Sequence, residues 1–129
     1  MKSDPDWPDR ISVLPHLIIE YSRNIESRID IPTLMKTLHQ AAIDSEVLKA
    51  EDLKTRAAAF DYWKLHGPDD DFVHVTCHLL AGRTDAQKVR LAESLRQSAS
   101  SIAPDVISIS VNIVDMNPVA YKKRLLPSR

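Results

Sequence analysis

Apolar and polar positions alternate most cleanly in two stretches of the chain. Val73, Val75, Cys77 and Leu79 point one way, and His74, Thr76 and His78 the other. Ile107, Ile109, Val111 and Ile113 alternate in the same way with Ser108, Ser110 and Asn112. A period of two is that of a half-buried strand, so strands are predicted over 72–80 and 107–113. Residues 16–22 form a short apolar run, Ile18-Ile19 at its centre, bounded by Pro15 and by Ser22-Arg23-Asn24. That reads as a buried strand.

Helical spacing appears twice. Ile31, Leu34, Met35, Leu38, Ala41 and Ala42 line one face, with Asp30 as a cap and Pro32 in the first turn, giving a helix over about 31–44. Thr84 followed by Gln87 is a capping box, Leu91, Leu95, Ala99 and Ile102 line the helix that follows, and Pro104 ends it. Residues 46–66 are ambiguous: Glu46 to Phe60 is helical by propensity, whereas Phe60-Asp61-Tyr62-Trp63 favours strand. His66 to Asp71 is a turn. Residues 1–13 read as an irregular polar arm, and 119–129, after the closing Pro118, as a basic tail.

The totals narrow the classes. A chain of 129 residues suits one domain. Net charge is −1, and the one basic cluster, Lys122-Lys123-Arg124, is too small to suggest nucleic acid. No apolar run approaches the roughly 20 residues of a membrane span, and residues 1–13 lack the apolar core of a secretory signal. Cys77 alone cannot form an internal disulfide, so a reducing cytoplasm is expected. Only two glycines, Gly67 and Gly82, are present, which excludes a Gly-rich phosphate loop.

Few residues then remain to carry chemistry. Arg83 lies between a strand and a capped helix, where ligands of α/β units often sit, and Gly82 beside it allows a close backbone approach. A solvated arginine near a helix start is the ordinary alternative. His74 and His78 share a strand face about 13 Å apart, too far to chelate one ion. Cys77 faces the other way, as a small core residue would. The Asp69-Asp70-Asp71 run lacks EF-hand spacing and reads as a turn.

Leu14-Pro15-His16-Leu17-Ile18-Ile19-Glu20-Tyr21, Arg56, the run from Phe72 to Arg83 and Asp115-Met116-Asn117-Pro118 together resemble the 5-carboxymethyl-2-hydroxymuconate isomerase family of the tautomerase superfamily. Gly82 to Lys88 also resembles the helix start of 4-oxalocrotonate tautomerase. The resemblance covers residues 15 to about 125 and implies a strand over about 54–64. The chain then reads as two β-α-β units, about 15–66 and 67–118. They form an α+β two-layer sandwich: a four-stranded mixed sheet with two helices on one face. The other face is left for neighbouring subunits.

The same resemblance implies a homotrimer with active sites between subunits, no metal and no cofactor, and cofactor-free keto–enol isomerisation of a hydroxymuconate in bacterial homoprotocatechuate catabolism. Pro15 is the implied general base and Arg83 the implied carboxylate-binding catalytic partner. Lys54, Arg56, Phe72 and His74 are the implied substrate contacts. Lys54 stands where the family usually has arginine, keeping the charge but losing the bidentate fork; both basic residues also suit a charged strand edge. A proline is a base only as an N-terminal secondary amine, because an internal proline nitrogen is an amide. Bacterial genes can initiate at codons read internally as leucine, so a start at Leu14 would leave Pro15 first. If residues 1–14 are a genuine leader, the expectation becomes an inactive trimer of the same fold that binds small carboxylates, or a purely structural subunit.

Overall fold

The computed structural model describes residues 14–129. Its elements are β1 (His16–Ser22), α1 (Ile31–Asp44), β2 (Lys54–Phe60), β3 (Phe72–Leu80), α2 (Asp85–Ile102) and β4 (Ser108–Met116), with short 3-10 turns at Arg23–Ser27 and Ala50–Asp52. The strands form one sheet in the order β2-β1-β3-β4. β1 and β2 are parallel, as are β3 and β4, and β1 meets β3 antiparallel. Each parallel pair is bridged by one helix, the crossover such a pair requires. The two β-α-β units thus join through their first strands into a mixed sheet.

Local signals account for the helix starts. Asp30 Oδ2 accepts from the Thr33 amide at 3.1 Å and from the Thr33 hydroxyl at 2.6 Å, which caps α1. Thr84 Oγ1 accepts from Gln87 N at 3.1 Å while Gln87 Oε1 accepts from Thr84 N at 2.8 Å, closing the capping box of α2. One sheet face packs on both helices. Leu17, Ile19, Val73, Val75, Cys77 and Leu79 from the sheet are fully buried against Leu34, Leu38, Leu91 and Leu95.

Two sequence expectations need correction, and one ambiguous stretch is resolved. The helical propensity of Glu46 to Phe60 yields only the turn at Ala50–Asp52, because residues from Lys54 onward pair with β1 along its whole length, and partner strand outweighs propensity. The strand expected over 54–64 ends at Phe60. Beyond it the chain leaves the sheet, and Trp63 donates its indole N–H to the Asp70 carbonyl at 2.9 Å. Ile107 belongs to no strand: it is 65 % exposed, while Val106 is buried in its place. The Ile107 amide is held instead by the Asp71 carboxylate, 2.7 Å away.

Asp71 is the polar anchor of this end of the molecule. Only 4 % exposed, it also accepts from Arg28 Nη2 at 2.6 Å, and its backbone carbonyl accepts from Ser108 N at 3.1 Å. A buried carboxylate needs such partners. Here they tie the start of β4 to the start of β3.

Candidate active site

The strand directions bring the starts of β1 and β2 to the same end of the sheet as the finishes of β3 and β4. Pro15 immediately precedes β1 there; it is buried, and its carbonyl accepts from Lys54 N at 3.2 Å. His16, the next residue, pairs in register with Lys54 on one side and His78 on the other. Because side chains alternate, these three lie on the face away from the helices. Arg56, two residues along β2, shares that face and places Nη1 3.2 Å from His16 Nδ1.

The C-terminal segment closes over the same end. Asn117 turns the chain, its carbonyl accepting from Ala120 N and Tyr121 N at 3.1 Å each. That turn brings the Tyr121 hydroxyl within 2.8 Å of His16 Nε2, with the two rings edge to face at 5.9 Å between centroids. Lys123 follows, its ammonium 3.8 Å from the Asp52 carboxylate. An open pocket of about 460 Å³ lies beside them, lined by Leu14, Leu80, Tyr121, Lys122 and Lys123 among others.

Positive charge dominates around His16. Burial, then the cations Lys54 and Arg56, then His78 and Lys123, hold the His16 imidazole below the usual histidine range. Burial and the proximity of Lys123 pull the Lys54 ammonium down as well. A cluster whose members depress one another's protonation is one that an anion would relieve.

Arg83 sits in the β3–α2 connection at this end. It is 9 % exposed, and its Nε donates to the Val47 carbonyl at 2.9 Å. Burial lowers its pKa, yet a guanidinium stays charged. The neighbouring Gly82 has φ +135°, a conformation that side chains disfavour, while the space around its Cα is open. Glycine is therefore needed for the turn that presents Arg83.

Pro15, Lys54, Arg56 and Arg83 thus come to one end of the sheet. Phe72 and His74 do not. His74 pairs in register with Glu20, and the Phe72 amide donates to the Ser22 hydroxyl at 3.0 Å, both at the far end of β1, so His74 is about four residues or 13 Å from His16 along the strand. There His74 Nδ1 lies 2.6 Å from the Ser110 hydroxyl, and Phe72 packs against Phe60. Within one chain these two do not join the others. Cys77 is fully buried and burial pushes its thiol up to about 12, which suits a core residue.

Two participants escaped the sequence reading. Tyr121 lies in the segment that reads as a basic tail, and its contact with His16 spans 105 residues. No local pattern announces such a pair. His16 had a weaker signal, since its strand position puts it on the same face as Lys54 and Arg56 once β2 is recognised.

Comparison with known proteins agrees with this fold. The family described as 5-carboxymethyl-2-hydroxymuconate isomerase matches residues 15–125. The 5-carboxymethyl-2-hydroxymuconate Delta-isomerase of Escherichia coli is 23 % identical over 118 residues, covering 86 % of this chain and 94 % of the relative. The crystal structure of a 5-carboxymethyl-2-hydroxymuconate isomerase from Deinococcus radiodurans R1 superposes with a TM-score of 0.77 at 23 % identity, covering 88 % of this chain and 90 % of that one. A fused 4-OT asymmetric trimer gives 0.71 at 23 % identity, covering 84 % and 91 %. The strand order, the two crossover helices and a family match that starts at Pro15 and runs nearly to the end of the chain lead to one conclusion: this chain belongs to the 5-carboxymethyl-2-hydroxymuconate isomerase family.

Proposed function

We propose that the protein isomerises 5-carboxymethyl-2-hydroxymuconate, or a closely similar hydroxymuconate of bacterial homoprotocatechuate catabolism, without a cofactor. The observation that carries this reading is the position of Pro15. The family match begins at that residue, which opens β1 at the cation-lined end of the sheet. Released as an N-terminus, Pro15 is a secondary amine. Its burial and the neighbouring cations favour the neutral, basic form near neutral pH. The amine takes the proton of the substrate's enol and returns it to a distal carbon of the conjugated system. The base is regenerated and nothing is oxidised or reduced. Arg83, Lys54 and Arg56 hold the carboxylates and the negative charge that develops on the dienolate, a role suited to fixed cations.

A homotrimer belongs to the same reading. The sheet face carrying His16, Ile18, Lys54, Arg56, His74 and His78 is not covered by either helix.

One observation favours a second reading. In the sequence as it stands the Pro15 nitrogen is an amide bonded to Leu14 and cannot be a base. If that bond persists in the cell, the protein is a trimeric binder of small carboxylates. N-terminal sequencing of protein purified from its native source separates the two. Protein that begins at Pro15 and ketonises the hydroxymuconate supports the isomerase. Protein that retains Leu14, lacks turnover and melts higher with a dicarboxylate supports the binder.

A further inference from the structure

The contacts of His16 fix where its proton lies. Its Nδ1 faces Arg56 Nη1 at 3.2 Å. Arginine has donors and no acceptor, so Nδ1 must present a lone pair. The neutral ring then carries its proton on Nε2, and the 2.8 Å contact is Nε2–H donating to the Tyr121 oxygen. The phenol uses a lone pair in that bond and keeps its own O–H as a donor. The Tyr121 ring also lines the open pocket beside Lys122 and Lys123. Reversing the chain of bonds would aim an imidazole proton at a guanidinium.

We propose that Tyr121 is a substrate-binding residue that donates a hydrogen bond to a carboxylate of the ligand, its hydroxyl oriented by a relay from Arg56 through His16. The proposal rests on the reading of this sheet end as the active site. It adds a neutral donor from the C-terminal segment to the cations already named, and it makes His16 a positioning residue. It also assigns the segment after β4 a function: without the turn at Asn117 the hydroxyl would not reach the site.

The test is binding of cis,cis-muconate, a dicarboxylate diene lacking the hydroxyl that turnover requires. Calorimetry is run on the full chain and on the chain beginning at Pro15. Tyr121→Phe keeps the ring packed on His16 and removes only the hydroxyl. It should weaken muconate about tenfold, as the loss of one hydrogen bond to a charged group does, while the lost His16 contact lowers the melting temperature by no more than about a few degrees. His16→Leu should weaken binding to a similar degree. His16→Gln, whose amide N–H can replace Nε2–H, should restore most of the affinity. Undiminished affinity in Tyr121→Phe, a lowered melting temperature with unchanged affinity, or no muconate binding by the unsubstituted protein would each overturn the proposal. If ketonisation fails while Tyr121-dependent binding persists, the isomerase reading falls and this one stands.

Discussion

His16 is held neutral by what surrounds it, and that makes it a source of pH dependence. Its folded pKa is depressed by partial burial and by Lys54, Arg56, His78 and Lys123. The unfolded chain therefore binds a proton first as pH falls. The stabilisation by the neutral ring is complete above the ordinary histidine value of about 6.5 and is lost as pH drops below it toward the folded value. Urea denaturation between pH 7 and pH 5 should show the native protein losing stability more steeply than His16→Gln. Parallel slopes would place the titrating group elsewhere. At Cys77 burial works in the other direction, raising a thiol to about 12. The folded protein should then react with Ellman's reagent only as fast as it unfolds, and rapidly in guanidinium. Individual residues were partly legible in the sequence. Lys54 and Arg56 could be placed on one face as soon as a strand was assumed. The Val47 carbonyl bound by Arg83 and the hydroxyl bound by His16 come from distant loops, which no local spacing encodes.

Among the elements, those whose periodicity and caps agree have the bounds their residues imply. α1 is capped by Asp30 and α2 by Thr84, and β3 buries the same four residues that its alternation selects. β2 is the exception: Lys54-Thr55-Arg56-Ala57-Ala58-Ala59-Phe60 has the composition of a helix and becomes an edge strand only because β1 offers a full-length parallel partner. Such long-range pairing is invisible to propensity. Ile107 shows the converse, where an alternating pattern overreaches by one residue because Asp71 claims its amide. Energetic consequences follow at this scale. Leu38 is fully buried between α1 and the sheet, so Leu38→Ala should cost about 2–5 kcal/mol in chemical denaturation. Thr84→Ala removes the capping box at an exposed helix start and should cost about 1 kcal/mol. Equal costs for the two would mean that α1 does not pack as described.

For the whole molecule, the decisive feature is that a sheet covered on one side by helices gathers its cations at one end and leaves its other face open. The family match makes the chain an isomerase of the 5-carboxymethyl-2-hydroxymuconate isomerase family. The chemistry proposed above depends on where the chain begins, since the same Pro15 is an inert amide or a poised base according to whether Leu14 is attached. On that account Arg83→Ala in the active form should lower kcat/KM by about a hundredfold or more, as removal of a preorganised charge at a developing oxyanion does. Unchanged kinetics would remove Arg83 from the site. The most direct measurement is hydroxymuconate ketonisation, followed by absorbance, by the full chain and by the chain beginning at Pro15. The leader's integrity is checked by mass after each assay. Turnover confined to the Pro15-initiated protein is the predicted result; equal turnover by a full chain whose leader is intact would contradict the assignment of the Pro15 amine as the base.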